Sequence, residues 1–339
     1  MLILDVFSPL LLLLLFLLPR YSCRAADIPE DTTAEFSVRL YHRLQAAGDQ
    51  DNIVFSPLSV ALALGMVELG ARGASLEEIR QAVGFSHLLP GVEFSLLQNL
   101  TAALSEDNAH YVIRFANSLL LQEADDFSSV TRLTLVNAVY FRGSWKNQFR
   151  PENTRTFSFS RDDGSEVQTL MMYQQGDFYY GEFSDGSQEA GGVYQVLEMP
   201  YEGEDMSMLI VLPRQEVPLA SLEPIFKAAL LEEWANNVKR QKVEVYMPRF
   251  KVEQKIDLRS TLQDLGIKNI FTNDADLSAM TVKLPPVLFS GNHGNRQRVG
   301  RNDRPHPDSG VVPAGTILFM GRVMTPEVVD PNDQEFDSM

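Results

Sequence analysis

The sequence offers few side chains whose types and spacing could perform catalysis. Its five histidines have none of the spacings typical of metal ligands, and we expect ordinary surface or helix positions for them. Asp274, Asp276 and Ser278 alternate, but no glycine or bidentate glutamate follows, which argues against a calcium loop. The motifs of serine hydrolases, zinc proteases, phosphate-binding loops and dinucleotide-binding folds are absent. We therefore expect no enzyme, no metal site and no cofactor. The histidines are His42, His87, His110, His293 and His306.

Composition indicates a folded, acidic protein rather than one that binds nucleic acid. Apolar residues make up 45% of the 339 residues, which is ample for a sizeable core. The 45 acidic side chains against 29 basic ones give a formal net charge of −16, so phosphate and anionic lipid surfaces would repel most of the molecule. The single cysteine, Cys23, excludes an intramolecular disulfide and a cysteine-based zinc site.

The N-terminus has the pattern of a secretory signal peptide. An unbroken run of leucine and phenylalanine spans residues 10–18, which is too short to cross a bilayer as a helix. Small residues follow at Ala25 and Ala26, so we expect residues 1–26 to be removed and the protein to be secreted into the extracellular space. A buried N-terminal helix is the alternative. The secretory context makes Asn99, in an Asn-Leu-Thr sequon, a candidate for glycosylation.

Hydrophobic periodicity predicts helices in the first third of the chain and mostly strands after it. Ser56 followed by Pro57 predicts an N-cap and a first-turn proline, and Ser75 is predicted to begin a capping box. Residues 133–141 are apolar on both faces, which is typical of a strand covered on both sides. A helix is predicted from Pro218 to about residue 239. Segregated helices and strands favour an α+β fold with largely antiparallel sheets. Further helices are predicted at 33–46, 58–69, 92–105 and 258–265, and further strands at 53–55, 111–121, 154–160, 166–173, 177–183, 193–199, 206–212, 243–247 and 317–320.

Residues 281–313 differ in composition from the rest of the chain. Their net charge is +3 within an acidic protein, and glycine, proline and asparagine are dense. Composition predicts an irregular segment there. The basic side chains are candidates for a weak contact with a polyanion such as heparin, although a solvated loop explains them as well. The four arginines of this patch are Arg296, Arg298, Arg301 and Arg304.

Several stretches resemble the serpin family, and the similarity is long, collinear and specific. It covers about residues 27–121, 127–280 and 314–339. The resemblance implies one domain, residues 27–339, with three largely antiparallel sheets and up to nine surrounding helices. The stretches that carry it are Asn52–Ser59, Asn137–Trp145, Met199–Gly203, Pro248–Val252 and Ile317–Arg322.

The resemblance also implies a function. Serpins typically inhibit serine proteases, here trypsin-like ones such as plasminogen activators. An exposed reactive loop is the bait, and after cleavage it inserts as a new strand into the central sheet and traps the protease as an acyl-enzyme. By this resemblance Ser56 and Asn137 match the region where the sheet opens, and Trp145 matches the tryptophan beneath the point of loop entry. From the residues alone, Ser56 is an N-cap and Trp145 a core side chain.

The chain departs from the family at two places. Between Leu121 and Thr131 the family carries about sixty more residues, comprising two helices and an edge strand; here nine residues join two strands. They could link antiparallel strands but not parallel neighbours. At 281–313 the central strand, acidic hinge, reactive loop and the strand after it are missing, so no bait residue can be named. We therefore expect an incomplete central sheet and impaired inhibition; the alternatives are a non-inhibitory secreted protein and an incomplete gene product.

Overall fold

The computed structural model describes residues 2–5, 10–16, 31–48, 52–105, 109–121, 133–184, 193–213, 217–252, 256–281 and 316–326. Its helices are α1 Asp31–Ala47, α2 Pro57–Gly70, α3 Gly73–Val83, α4 Val92–Ser105, α5 Leu219–Leu222, α6 Ala228–Asn237 and α7 Arg259–Asp264. Its strands are β1 Leu2–Asp5, β2 Leu10–Phe16, β3 Ile53–Phe55, β4 Tyr111–Leu121, β5 Leu133–Gly143, β6 Arg155–Ser160, β7 Glu166–Ser184, β8 Val193–Pro200, β9 Met206–Leu212, β10 Lys239–Pro248 and β11 Thr316–Val323.

The helices follow local sequence rules, with two exceptions. Ser56 caps α2 and Pro57 occupies its first turn, as predicted. The capping box at Ser75 is wrong, because α3 begins two residues earlier and the Ser75 hydroxyl instead accepts a hydrogen bond from the Asp276 N–H at 3.1 Å. The helix predicted from Pro218 to residue 239 is also wrong. Pro224 lies in a short 3₁₀ turn between α5 and α6, where a proline cannot continue an α-helix.

Nine strands form one continuous sheet, in the order β1-β10-β7-β8-β9-β2-β11-β3, and β6 pairs with the first part of β7. Neighbours are antiparallel except β1 and β10. The expected three sheets are therefore two hydrogen-bonded units in the described part of the chain. The cause is the 19-residue strand β7, which pairs with β6 over residues 166–171, with β10 over residues 171–180 and with β8 over residues 179–184. The predicted strands at 166–173 and 177–183 therefore merge into one.

The N-terminus contributes two strands to this sheet. β1 pairs in parallel with β10, and β2 lies between β9 and β11, antiparallel to both. The alternative of a buried N-terminal helix is wrong for residues 2–5 and 10–16. A continuous leucine run can form a strand in the interior of a sheet whose two faces are both covered, because every side chain of such a strand is buried.

The second sheet contains β4 and β5, paired antiparallel from Tyr111 opposite Gly143 to Leu121 opposite Leu133. The antiparallel alternative for the nine-residue junction is therefore the one observed, while the junction itself lies outside the described residues. The prediction that β5 is buried on both faces is wrong for residues 138–142, whose side chains the structure describes. Ala138, Tyr140 and Arg142 are exposed, with 54% of Tyr140 accessible, because no described element covers this face.

Two hydrophobic clusters make up the core. The larger one joins α1, α2, α3 and α4 to β3, β4, β11 and parts of β8 and β9. The smaller one joins β1, β7, β8, β9, β10 and β11. Alternate residues of β9 belong to different clusters, since Val211 lies in the larger and Ile210 in the smaller. Both faces of β9 are therefore covered.

Two buried groups of charged side chains lie within this core. Arg322 donates to Glu223 Oε1 at 2.8 Å, and the Tyr41 hydroxyl donates to the same oxygen at 2.5 Å. Burial and the neighbouring Glu223 raise the pKa of Tyr41. In the second group Arg80 faces two buried carboxylates, Glu68 at 2.7 Å and Glu93. One guanidinium is shared by two acids, and burial raises the pKa of Glu68 to about 7.

Candidate functional site

The candidate site begins with α2, which lies under the two-stranded sheet. This helix is apolar around its whole circumference and packs against β4, β5 and β11, which identifies it as a central buried helix. Ser56 sets its start, because its side-chain oxygen accepts the Ser59 N–H at 3.2 Å. The N-cap at Ser56 therefore fixes where α2, the helix under the β4–β5 sheet, begins.

A polar contact joins this helix to the strands above it. Ser59 is buried, and its hydroxyl donates to Asn117 Oδ1 across a long 3.5 Å. Asn117 is paired in register with Asn137 on the neighbouring strand. Two asparagines thus lie in register at alternating strand positions that are otherwise apolar. This contact adds one polar link to the apolar packing between α2 and the strands.

Trp145 lies two residues beyond the end of β5. Its ring stacks on Tyr201, with ring centroids 4.3 Å apart and planes inclined by 15°. Phe141 meets the same tyrosine edge to face, with ring centroids 5.2 Å apart. A Cβ at Gly143 would lie 2.8 Å from Phe141 Cζ and 2.9 Å from Tyr201 Cδ1, so a larger residue there would displace these rings. The end of β5 is therefore held by a compact aromatic group.

Backbone hydrogen bonds fix the same junction. The Lys146 N–H donates to the Pro200 carbonyl at 3.1 Å, and the Glu202 N–H donates to the Ser144 carbonyl at 2.8 Å. Trp145 also packs against both hydrophobic clusters. Burial raises the pKa of Tyr201, so its hydroxyl stays protonated. The junction thus ties the small sheet to the large one.

The structure therefore places the three predicted residues at different points. Ser56 caps α2 and Asn137 lies on β5 in register with Asn117, whereas Trp145 belongs to the aromatic junction at the end of β5. Sequence reasoning did not assign a role to Asn117 or Tyr201. The one available signal for Asn117 was its polar side chain within an apolar strand face.

The remaining sequence predictions concern surface features. Asn99 is exposed on α4, where glycosylation remains a prediction. The basic patch at 281–313 lies outside the described residues. No cluster of three or more potential metal ligands occurs in the part of the chain that the structure describes. Among the same residues, no helix is long and apolar enough to cross a membrane.

Comparison with known families decides the classification. The family model described as Serpin (serine protease inhibitor) matches residues 31–129 and 121–295. The chain belongs to the serpin family. The two matched segments meet at 121–129, which coincides with the short junction between β4 and β5. The α+β fold class and the serpin prediction are confirmed.

Neuroserpins are among the similar relatives of this serpin. Neuroserpin of Rattus norvegicus is 44% identical over 392 residues, covering 93% of this chain and 96% of the relative. Neuroserpin of Homo sapiens gives the same identity and coverage. Plasminogen activator inhibitor 1 of Sus scrofa is 29% identical, covering 86% of this chain and 91% of the relative. The neuroserpin alignment is longer than this chain of 339 residues, so the relatives carry segments that it lacks.

Solved structures agree on the fold. Thyroxine-binding globulin in complex with thyroxine superimposes with a TM-score of 0.68 at 23% identity, covering 88% of this chain and 99% of that one. Uncleaved ovalbumin gives the same TM-score and coverage at 24% identity. Family and relatives together support an inhibitor of serine proteases rather than a catalytic enzyme.

Proposed function

We propose that this protein is a secreted serpin of neuroserpin type whose inhibition of trypsin-like serine proteases is impaired in the chain as written. The family and the 44% identity to neuroserpins support the inhibitory ancestry. The name of plasminogen activator inhibitor 1, a relative, supports plasminogen activators as the target class. The impairment follows from comparing the sheet that would accept a reactive loop with the sequence that would supply it.

We take the β4–β5 pair as the side that would accept a reactive loop. β4 and β5 pair in continuous register, α2 supports them, and no third strand joins them in the described part of the chain. We propose that Ser56, Asn117 and Asn137 hold the helix–sheet interface that must yield when a strand enters. Trp145, stacked on Tyr201, would anchor the end of β5 during that movement.

The sequence that would supply the reactive loop departs from the family pattern, and this departure carries the proposal. The chain between the 3₁₀ turn that ends at Thr281 and the start of β11 at Thr316 should contain the central strand, hinge and reactive loop. Instead it contains a basic segment rich in glycine, proline and asparagine, including Gly-Asn-His-Gly-Asn-Arg at 291–296. Glycine and asparagine are poor strand residues, so this segment cannot insert efficiently.

The compartment is inferred from the sequence. Residues 1–26 have the pattern of a secretory signal, and Asn99 is exposed on α4 within a glycosylation sequon. We propose an extracellular protein, glycosylated at Asn99, with a weak polyanion contact at 281–313 as a secondary property. The patch carries a local charge of +3 within a molecule of net charge −16.

A second candidate is a non-inhibitory product of a gene that also encodes a complete inhibitor. It is favoured by the neuroserpin alignment, which extends over 392 positions and therefore includes segments missing from this chain. In that case the activity belongs to a longer transcript, and this chain acts by binding or has no activity of its own.

The test mixes the purified chain with a plasminogen activator and, separately, with trypsin, followed by a denaturing gel. We expect cleavage of the chain within 281–313 and no covalent complex. The matched control replaces Lys283 and the four arginines of the basic patch by glutamine, which should remove the tryptic cuts in that segment. A complex that survives detergent would show a functional bait loop and would overturn the proposal. Cleavage confined to sites outside 281–313 would show that the segment is not even a substrate.

A further inference from the structure

The N-terminal apolar segment occupies a defined position inside the large sheet. Leu11 is paired with Val211 of β9, and Leu15 with Ser207. On its other side the same strand is paired with β11, where Leu13 lies opposite Met320. β2 therefore fills the space between two strands that do not pair with each other.

This space requires a particular kind of strand. All residues of β9 are buried except Met208, and all residues of β11 are buried except Phe319, so both faces of each strand are covered. A strand between them must be apolar on both faces as well. Residues 10–16 read Leu-Leu-Leu-Leu-Leu-Leu-Phe and satisfy this condition at every position.

An empty space at this position would leave backbone groups unpaired. Neighbouring strands lie about 4.8 Å apart, so β9 and β11 are separated by about twice that distance and cannot pair directly. Without β2, the N–H and C=O groups that face the space would be buried without partners, which is strongly unfavourable. The rest of the sheet therefore provides a groove with a backbone template on both sides.

A second anchor holds the same segment. β1 adds to the edge of the sheet in register with β10, with Leu2 opposite Val243 and Leu4 opposite Val245. Leu4 is fully buried in the smaller hydrophobic cluster. The N-terminal segment is thus integrated at two separate strands of one sheet.

We propose that the space between β9 and β11 is a strand-binding groove whose ligand is an extended apolar heptapeptide, and that residues 10–16 of this chain are that ligand. In the chain that keeps its N-terminus, the groove is filled intramolecularly. A cut after Ala26 removes both β1 and β2 and opens the groove. Processing of the signal segment therefore decides whether the sheet is complete.

The first test measures the register in the full-length chain, produced in a cytoplasm so that the N-terminus is retained. Cys23 is replaced by serine, and Leu13→Cys is combined with Leu209→Cys, two positions paired across β2 and β9. Mild oxidation should cross-link them nearly completely. The control combines Leu11→Cys with Ser207→Cys, which are four register positions apart, or roughly 13 Å, and should not react. Equal cross-linking of the two pairs would overturn the proposal.

The second test uses the shortened chain, residues 27–339, and a synthetic peptide of residues 10–16 flanked by lysines for solubility. We expect saturable binding to the shortened chain and at least tenfold weaker binding to the full-length chain, in which the groove is filled. Binding should also raise the unfolding midpoint of the shortened chain as the peptide concentration increases. The control peptide carries Leu13→Pro, which removes a central backbone donor and should not bind.

Each outcome of the peptide experiment has a defined meaning. Equal binding to both chains, or equal binding of the proline peptide, would show nonspecific apolar adhesion and would contradict a groove. A shortened chain that unfolds as cooperatively as the full-length one without any peptide would show that the groove closes by itself, which also contradicts the proposal. Protease inhibition enters neither test, so these results stand apart from the proposed function.

Discussion

The two sheets of this serpin differ in how they accommodate a missing strand. In the large sheet, β2 lies between β9 and β11, so each has a hydrogen-bonded partner on both sides. In the small sheet, β4 and β5 have only each other among the described residues. One region is completed from the N-terminus of the same chain, and the other remains a strand pair with open edges.

The difference follows from burial. The space in the large sheet is covered on both faces, so an apolar strand entering it removes unpaired backbone and apolar surface from water together. The outer face of the small sheet is exposed, with Val112 and Tyr140 accessible to solvent. Water can hydrogen-bond to the unpaired backbone groups at its edges, so the absence of a third strand costs less free energy there. The small sheet therefore tolerates the absence of a third strand, whereas the large sheet is destabilised when the strand between β9 and β11 is absent.

The largest effect is expected from removing β1 and β2. We expect the chain 27–339 to lose about 5 kcal/mol or more of unfolding free energy, because ten apolar positions of β1 and β2 and three strand pairings disappear. Urea unfolding followed by fluorescence of Trp145 and Trp234 measures this. A full-length control in which residues 10–16 are replaced by alternating valine and isoleucine should retain the stability, since these residues favour strands. Loss of stability in this control as well would show that the N-terminus acts by something other than strand formation.

The next effect concerns the ion pair beside β11 in the large sheet. Arg322→Met should cost about 3–5 kcal/mol, because Glu223 would remain buried without its counter-charge. Thermal and urea unfolding measure the loss, and adding Glu223→Gln should recover part of it. The matched control is Arg240→Met, since Arg240 and Asp177 form an exposed pair worth at most about 1 kcal/mol. Equal losses for the two arginine variants would contradict the importance assigned to burial.

A smaller effect is expected from pH in the helix layer next to the small sheet. The pKa of Glu68 is raised by burial to about 7, above its value in the unfolded chain, so the folded state binds the proton more tightly. Stability from this group is present at low pH and is lost as pH rises from about 4.5 to about 7. Glu68→Gln should flatten this slope and add about 1–2 kcal/mol at pH 8. Unfolding curves between pH 5 and 8 measure it, and an unchanged slope would contradict the assignment.

The smallest change in stability is expected on the open sheet. Tyr140→Lys should alter the unfolding free energy by no more than about 0.5 kcal/mol, because this side chain is largely exposed. It should reduce self-association at high concentration, since a charged residue disfavours edge-to-edge pairing. Analytical ultracentrifugation measures the association. The matched variant Ile210→Lys, at a fully buried position of β9, should prevent folding. Equal tolerance of the two substitutions would contradict the difference in burial between the sheets.

The fold was predictable from the sequence wherever local rules decide it. The Ser56 cap, the β4 alternation and the strand at 206–212 all follow from spacing and residue type. The strand at residues 10–16 could not be predicted from the sequence, because a continuous run of leucines has no hydrophobic periodicity that distinguishes a strand from a helix. Its pairing with β9 and β11 depends on residues about 200 and 300 positions away.

The candidate site was predictable only in part. Ser56, Asn137 and Trp145 came from a resemblance, whereas their partners Asn117 and Tyr201 required coordinates. The exposure of Tyr140 was missed because an apolar residue predicts burial only if another layer covers it. Here no described element covers that face, and the family's helices between Leu121 and Thr131 are absent from the sequence.

Residue-resolved hydrogen exchange on the full-length chain tests the contrast between the two sheets most directly. The amides of β9 that point toward β2 should exchange as slowly as those that point toward β8. Amides on the open edges of β4 and β5 should exchange at least a hundredfold faster. If the β2-facing amides of β9 instead exchange as fast as those open edges, the space in the large sheet is empty and the account is contradicted.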